Sequence, residues 1–253
     1  MKIVASIQAR LSSSRLPGKV LKKLEGKPVL QWQVERLRRS RLIDEIIIAT
    51  TTNPIDDRVE EFCRKNQVTC FRGSEHDVLQ RIADLITEHQ ADVHIECFGD
   101  SPLIDPQIVD EYIGFLLKNK DRLDLVTNTQ KTTYPPGSEV TVYKGCSLLE
   151  ANMLVESDDP LREHVSFNIK SRPQLFSIVN LEAPPYLNCP DLYIELDTPE
   201  DLLVMQFIIE NMMKTEYKNF SLVEVIKLMK DNPEKANINN KVNRRWKKFV
   251  DNV

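Results

Sequence analysis

The chain has 253 residues, of which 41% are hydrophobic and 28% charged, values that are ordinary for a globular protein with a sizeable core. Its formal net charge of −4 argues against a general nucleic-acid-binding protein but leaves room for a local basic pocket. No apolar run approaches the roughly 20 residues of a membrane-spanning helix, and the chain starts with a strand pattern rather than a secretory signal, so we expect a cytoplasmic protein with no membrane or nucleic-acid partner.

Apolar strand patterns and amphipathic helix patterns alternate over the first half of the chain. The strand patterns are "KIVASI", "EIIIATT", "VTCF", "DVHIECF" and "LDLVTN". Between them, the spacing of apolar residues predicts helices at 28–40, 56–66, 75–90 and 106–120. Strands separated by helices of this length predict βαβ units and a largely parallel sheet with right-handed crossovers.

The pattern is looser after residue 128. We predict a Pro/Gly turn leading into a strand in "TYPPGSEVTVY", a helix in "SLLEANMLVES", a helical stretch in "DDPLREHVSFNIKSR", and strands in "LFSIVNLEA" and "LYIEL". A long helix should then start at Pro199, with Thr198 as N-cap and Asp201 completing a capping box. A further helix at 221–232 precedes a basic tail in which Trp246 should pack or dock.

The domain organisation and the compartment follow from what is absent from the sequence. No internal repeat or low-complexity linker appears, which favours a single domain, residues 1–253, with an inserted lobe at about 129–190. The five cysteines are odd in number and scattered, with no Cys-x-x-Cys pair and no Cys/His cluster. Neither a disulfide framework nor a zinc site is therefore predicted, and a reducing cytoplasm is the simplest interpretation.

The loop after the first strand, "QARLSSSRLPGK", contains three cations among small residues. Arg10 and Arg15 could hold phosphate oxygens with paired N–H groups, and Lys19 could act as a point charge. The loop matches neither the Walker A pattern nor GxGxxG, so a P-loop NTPase or a dinucleotide dehydrogenase is poorly supported. The alternative is a solvated basic loop.

Two carboxylates also follow predicted strands. Asp100 comes after Gly99, which would allow close approach of a ligand, and Asp197 follows "LYIEL". Ligands collect beyond the carboxyl ends of parallel strands, and Mg²⁺ prefers one or two carboxylates together with phosphate oxygens and water. The alternative is that Asp100 is a turn residue and Asp197 a helix cap.

Three further motifs have both a functional and a structural interpretation. "REHVSFNI" could contact an acidic or hydroxyl-rich substrate, and "YPPGSEVTVY" could supply Glu139 to the same pocket. "FRGSEHDVLQR" could bring Ser74 or Asp77 near a nucleotide. Each could equally be a polar helix start, a turn, or a helix entry with Ser74 as cap.

Together, these motifs resemble a known family. "QARLSSSRLPGKVL" resembles the opening signature of the cytidylyltransferases that include CMP-KDO synthetase and CMP-acylneuraminate synthetase. The chain is most similar to the branch named for spore-coat polysaccharide biosynthesis protein F, in which "RGSEHDVLQR", "GDSPLIDP", "REHV" and "DTPEDL" have counterparts in the same order. The resemblance runs from about Lys2 to Asn240.

The resemblance implies a Rossmann-like α/β nucleotidyltransferase fold, a mostly parallel sheet flanked by helices with a small β-containing dimerisation lobe, and a homodimer. It implies transfer of CMP from CTP to a sugar-acid-like acceptor with release of pyrophosphate, in surface polysaccharide biosynthesis. Lys19, Arg15, Asp100 and Asp197 would be catalytic, and Asp100 and Asp197 would hold Mg²⁺. The nucleotide-binding candidates are Ala9, Arg10, Ser14, Arg15, Lys19, Ser74, Asp77 and Gly99, and the acceptor candidates within or near the inserted lobe are Tyr134, Gly137, Glu139, Arg162, Glu163 and His164.

The chain departs from the family pattern at one position. Many relatives have Gln or Thr before the Gly of the "GD" motif, where it can help to recognise the nucleotide, and this chain has Phe98. The branch also does not fix the acceptor. The alternatives are therefore a phosphonate or phospho-sugar acceptor on the same fold, or a catalytically weak nucleotide-binding scaffold subunit.

Overall fold

The protein is built around a mixed seven-stranded sheet. The computed structural model describes residues 1–214, 219–244 and 246. The strands, in chain order, are β1 (Ile3–Gln8), β2 (Lys23–Leu24), β3 (Lys27–Pro28), β4 (Glu45–Thr51), β5 (Thr69–Gly73), β6 (Val93–Phe98), β7 (Leu125–Thr127), β8 (Thr141–Lys144) and β9 (Ile178–Asn180). The main sheet has the order β5-β4-β1-β6-β8-β7-β9, and β2 and β3 form a separate small hairpin.

Helices cover both faces of this sheet. They are α1 (Val29–Leu37), α2 (Asp57–Asn66), α3 (Val78–Glu88), α4 (Pro106–Lys118), α5 (Gly145–Met153), α6 (Phe167–Lys170), α7 (Pro199–Lys214), α8 (Leu222–Asp231) and α9 (Pro233–Ala236). One apolar cluster packs α1, α2, α4, α7 and α8 against one face, and a second packs α3, α5 and α6 against the other. Burial on both faces explains why the central strands are continuous apolar runs rather than alternating ones.

The strand order creates a crevice between β1 and β6. The chain moves from β1 to β4 and β5 on one side, and then returns to place β6 on the other side of β1, all in parallel. Such a change of direction leaves an opening beyond the carboxyl ends of the two strands, where open α/β sheets bind ligands. Beyond β6 the antiparallel strand β8 enters the sheet.

Most sequence predictions of strands and helices are confirmed, including the parallel pairing of the first half. The predicted strand "LYIEL" is wrong. The backbone of this segment forms hydrogen bonds with two loops rather than with a neighbouring strand. Ile194 N–H donates to the Pro136 carbonyl (2.8 Å), and Leu196 N–H donates to the Asp100 carbonyl (2.8 Å). Ile194 and Leu196 are apolar because they are fully buried, which is what the sequence pattern detected.

Two other predictions need correction. The stretch 158–172 is not one helix but a 3-10 turn (Pro160–Glu163) and the short α6, separated by an irregular step. The helix expected from residue 75 begins at Val78, because the N-cap is Asp77, whose side chain accepts from Gln80 N–H (2.8 Å). Ser74 instead accepts from Asp77 N–H (3.0 Å), one turn before the helix.

The strands of the lobe predicted at 129–190 are continuous with the main sheet. β8 pairs with β6, and β9 pairs with β7. Among the described residues, no helix is long and apolar enough to cross a membrane.

Candidate active site

The basic loop after β1 is an ordered turn. Leu11 N–H donates to the buried carboxylate of Asp56 (2.8 Å), and Gly18 N–H donates to the Leu11 carbonyl (3.1 Å). Gly18 has φ of 65°, in the left-handed region that glycine adopts without strain, and the 3-10 turn that begins with Lys19 follows it. These bonds fix the direction in which Lys19 leaves the loop.

Lys19 lies at the centre of four converging charges. Its Nζ is 2.8 Å from Asp100 Oδ2 and 2.7 Å from Asp197 Oδ1, and Arg15 Nη2 is 2.5 Å from Asp197 Oδ2. Two cations from the first loop thus meet two carboxylates from two distant parts of the chain. The structure therefore brings together Arg15, Lys19, Asp100 and Asp197, the four residues predicted as catalytic.

The contacts of this cluster shift its pKa values. Burial alone would lower the pKa of Lys19, but the charges and hydrogen bonds of Asp100 and Asp197 raise it above its usual value. Burial opposes ionisation of Asp197, yet Lys19 and Arg15 hold its pKa below the usual range. Lys19 and Asp197 are therefore both charged at neutral pH, and a polyphosphate could draw the Lys19 ammonium away from the carboxylates.

The two carboxylates fit a magnesium ion. Asp100 and Asp197 already converge on one cation, the Lys19 ammonium, and hard oxygen ligands of this kind suit Mg²⁺. Across residues 1–214, 219–244 and 246, no group of three or more His, Cys, Asp or Glu residues could hold a metal. Two carboxylates are sufficient only for an ion completed by phosphate oxygens and water, which is the usual situation for Mg²⁺ bound with a nucleotide.

Gly99 lets the carboxyl ends of β1 and β6 approach closely. A Cβ at Gly99 would lie 3.0 Å from both the Gln8 carbonyl oxygen and Val20 Cγ1, so a larger residue would push the two strand ends apart. Phe98, just before it, is 41% exposed, and its carbonyl accepts from the buried side chain of Gln33 (2.9 Å). An exposed aromatic ring thus stands at the carboxyl end of β6.

The remaining nucleotide candidates lie around the loop but do not touch its central cluster. Ala9 is buried and its N–H donates to the Ala49 carbonyl (3.1 Å), which makes it part of the sheet. Ser14 is exposed. Arg10 is also exposed and lies 3.8 Å from Glu163, a weak surface pair.

Asp77 and Arg162 are bonded to each other. Arg162 is buried, and its Nε donates to Asp77 Oδ2 (2.8 Å) while its Nη groups donate to the Val155 carbonyl (3.0 Å) and Asn152 Oδ1 (2.8 Å). In this conformation the two side chains tie the 3-10 turn to the start of α3. Of the "REHV" motif, only Glu163 is exposed, and His164 is half-buried.

The acceptor candidates of the "YPPGSE" loop form one wall beside the cluster. Gly137 has φ of 103°, and a Cβ there would come within 2.4 Å of Glu195 N, so only glycine is accommodated. Both carboxylate oxygens of Glu139 accept from Gly137 N–H, at 3.0 and 2.9 Å. Tyr134 is largely buried and supports the loop from behind.

Two further charged residues near Glu139, Lys170 and Glu96, were not among the predicted site residues. Lys170 Nζ donates to Thr129 Oγ1 (2.9 Å), and its pKa is lowered by burial against the opposing charges of Glu96 and Glu139. Glu96 accepts from the Gln8 side chain (3.1 Å), and burial raises its pKa. The acidic Glu96 inside the buried "VHIECF" strand was a signal that could have drawn attention to this cluster.

The pKa of Glu139 gives a prediction for stability against pH. Burial raises this pKa to about 7, whereas the unfolded chain has the ordinary carboxyl value of 4.5. Between these values the folded state binds the extra proton, so the contribution of Glu139 to stability falls as pH rises from about 4.5 to about 7. We expect Glu139→Gln to flatten the decline in melting temperature over this range, as measured by thermal unfolding at pH 5 to 8.

A matched variant makes this test specific. Glu182→Gln changes an exposed carboxylate that pairs with Lys131 at the surface, so its melting curve should keep the wild-type pH dependence. An unchanged slope in Glu139→Gln would contradict a raised pKa at this position.

A mostly parallel sheet with cations and paired carboxylates beyond its switch point is an arrangement that suits a nucleotidyltransferase. Comparison with known proteins agrees, because the cytidylyltransferase family model matches residues 4–232. The chain therefore belongs to the cytidylyltransferase family and is a CTP-dependent nucleotidyltransferase.

Individual relatives show the same relationship. An uncharacterised protein of Methanocaldococcus jannaschii is 34% identical over 97% of both chains. Spore coat polysaccharide biosynthesis protein SpsF of Bacillus subtilis is 32% identical over 92% of this chain and 96% of its own length. A 3-deoxy-manno-octulosonate cytidylyltransferase of Geobacter sulfurreducens is 36% identical over 47% of each chain.

Solved structures support the fold over nearly the whole chain. A cytidylyltransferase from Leptospira borgpetersenii superposes with a TM-score of 0.87 at 29% identity, covering 97% of this chain and all of its own. A CMP:2-keto-3-deoxy-manno-octonic acid synthetase bound to CTP has a TM-score of 0.63 at 20% identity, covering 83% of this chain and 99% of its own. At that identity the likeness shows the fold alone.

Proposed function

We propose that this protein transfers CMP from CTP to a sugar acid or related acceptor, with Mg²⁺ as cofactor and pyrophosphate as product, in the synthesis of a surface polysaccharide or glycoconjugate. The observation that supports this most directly is the Lys19 ammonium held between Asp100 and Asp197, with Arg15 against the second carboxylate. It combines cations that could bind a polyphosphate with carboxylates that could hold Mg²⁺, at one edge of the sheet.

In the proposed reaction an acceptor oxygen attacks the α-phosphorus of CTP. A bond forms between that oxygen and phosphorus, the bond to the oxygen bridging towards the β-phosphate breaks, the acceptor proton is released, and pyrophosphate leaves. No protein nucleophile is required, because positioning and charge neutralisation supply most of the rate. Lys19 and Arg15 would move from the carboxylates to the phosphates and offset the charge that grows on the leaving group.

Asp100 and Asp197 would hold Mg²⁺ once the cations have moved. The ion would supply Lewis-acid stabilisation of the phosphate charge and lower the pKa of the attacking oxygen. Arg10 would add a further phosphate contact from its exposed position in the loop. Phe98 would present its ring to the base or ribose, where many relatives place a polar side chain.

The acceptor would bind against the wall formed by Glu139 and the pocket behind it. Lys170 could pair with an anionic group of the acceptor, and the half-buried Glu139 could accept a hydrogen bond from one of its hydroxyls. An ammonium next to a carboxylate favours an acceptor that has both an acidic group and hydroxyls.

The test is pyrophosphate release with Mg²⁺ from CTP, ATP, GTP and UTP against keto-sugar acids, neutral sugars, phospho-sugars and phosphonates. Release that requires CTP and a sugar acid is the expected result, and release with a phosphonate or phospho-sugar instead would replace the acceptor class. If neither turnover nor a CTP-dependent rise in melting temperature is found, a scaffold role is favoured. The predicted homodimer would be tested by light scattering of the same sample.

A further inference from the structure

The C-terminal segment returns to the candidate active site and contacts the residues around Asp197. Arg244 is only 3% exposed, and its guanidinium forms a paired interaction with Asp201, Nη1 to Oδ2 at 3.0 Å and Nη2 to Oδ1 at 2.8 Å. Asn239 donates to the same Oδ1 (2.8 Å). A bidentate, fully buried pair of this kind fixes the orientation of the carboxylate as well as its charge.

Asp201 transmits this orientation to the backbone of Asp197. Its Oδ2 accepts from Asp197 N–H (2.9 Å) and Thr198 N–H (2.9 Å), which is the capping arrangement at the start of α7. The backbone of Asp197 is thus held by a carboxylate that Arg244 holds in turn. From that fixed backbone, the Asp197 side chain reaches Arg15 and Lys19.

The same segment also holds the chain on the other side of Asp197. Arg244 Nη1 is 3.1 Å from Glu195 Oε1, and Trp246 Nε1 lies 3.0 Å from both carboxylate oxygens of Glu195. Asn239 donates to the backbone carbonyl of Tyr193 (3.1 Å). The Arg244 guanidinium lies over the aromatic ring of Tyr193, 4.6 Å from the ring centroid. The segment 192–198 has no sheet partner, so these contacts replace the constraint that a strand would have.

We propose that Arg244 is a positioning residue of the nucleotidyl-transfer site, holding Asp197 in the orientation that magnesium binding requires by acting through Asp201. The inference rests on the proposed function, since it assigns Asp197 to the metal. It extends the site to a basic C-terminal segment that the sequence motifs do not include. Outer contacts of this type commonly change metal affinity or activity about 10- to 100-fold when removed.

The test compares Arg244→Lys with the wild-type protein in turnover and in metal binding. Lysine keeps the charge but cannot donate to both Asp201 oxygens. We expect kcat to fall about 10- to 100-fold, the KM for CTP to stay within about twofold, and the Mg²⁺ dissociation constant of the CTP complex to rise about tenfold or more. That constant is measured by calorimetry without acceptor, so it does not depend on turnover.

A double-mutant cycle separates positioning from general support. If Arg244 acts through Asp201, Arg244→Lys should have little further effect on Mg²⁺ affinity in the Asp201→Asn background. Arg72→Lys is the control: Arg72 also bonds backbone carbonyls and carboxylates, but on the edge strand β5. This variant should lose thermal stability without a change in Mg²⁺ affinity or kcat.

The outcomes are distinguishable from failure of the proposed function. Lower thermal stability with unchanged kcat and Mg²⁺ affinity in Arg244→Lys would overturn the positioning role. If that variant does not fold, Asp201→Asn, which removes the charge that Arg244 pairs with, should raise the Mg²⁺ dissociation constant severalfold, and an unchanged constant would overturn the proposal. A wild-type protein that binds Mg²⁺ and CTP but turns over no acceptor would contradict the proposed reaction, not the role of Arg244.

Discussion

Replacing Asp197 by Asn is expected to leave a folded protein that releases pyrophosphate from CTP at least about 10³-fold more slowly. Asn keeps the shape of Asp and can still accept from Lys19, but it removes one of the two negative charges that would hold the metal. Loss of charge stabilisation worth several kcal/mol in the transition state corresponds to a factor of this size. Asp100→Asn is expected to behave in the same way. The measurement is steady-state pyrophosphate release at saturating Mg²⁺.

The matched control is Asp124→Asn. Asp124 is also a partly buried aspartate with a lysine partner, Lys144 at 3.2 Å. It immediately precedes β7, at the amino-terminal end of that strand, whereas the candidate site lies at the carboxyl ends of β1 and β6. Its replacement should lower stability and leave kcat unchanged. Wild-type turnover in Asp197→Asn or Asp100→Asn would show that the two carboxylates do not hold the catalytic metal.

Replacing Lys19 by Met is expected to weaken CTP binding about 10- to 100-fold, since a hydrogen bond between charged partners contributes roughly 1.5–3 kcal/mol. The second expected effect is on the ligand-free protein. Without the ammonium, Asp100 and Asp197 face each other with one partner fewer, so the melting temperature should fall. Mg²⁺ alone should then raise the melting temperature of Lys19→Met more than that of the wild type, because the ion can occupy the vacated place.

Calorimetric titration of CTP and melting curves with and without Mg²⁺ measure both effects. Lys144→Met serves as the control, because it removes the partner of Asp124 outside the site. Its melting temperature should fall without any gain from Mg²⁺. An equal Mg²⁺ response in the two variants would argue that Asp100 and Asp197 do not form a cation site.

The convergence of three distant segments was predictable because parallel strands impose it. Because βαβ units place the carboxyl ends of their strands at one edge of the sheet, the loops after "KIVASI" and "DVHIECF" were expected at the same edge. Only the structure shows that β1 and β6 are adjacent strands, which makes Lys19 and Asp100 neighbours. Asp197 was predicted at the same edge because "LYIEL" was taken as a strand, which it is not. Asp197 nevertheless lies at that edge, because Leu196 N–H donates to the Asp100 carbonyl and so places the segment there without strand pairing.

Other members of the site could not be predicted because their partners are far away in sequence. Arg162 lies in a polar motif. The neighbouring sequence does not indicate that its guanidinium pairs with Asp77, which is 85 residues earlier in the chain. Lys170 is the last residue of the short helix α6, a position where lysines are ordinarily solvated. Arg244 lies in a basic stretch, where charged side chains are ordinarily solvated, whereas Asp201 and Glu195 hold its guanidinium in the interior.

The position of Trp246 has a spectroscopic consequence. The chain contains two tryptophans. The other, Trp32, is a buried residue of α1 whose indole N–H donates to the Leu24 carbonyl (2.9 Å). Trp246 alone donates to a carboxylate that faces Asp100 and Glu139. Its emission therefore comes from the edge of the catalytic crevice, which gives the protein an intrinsic fluorophore for following ligand arrival in real time without a label.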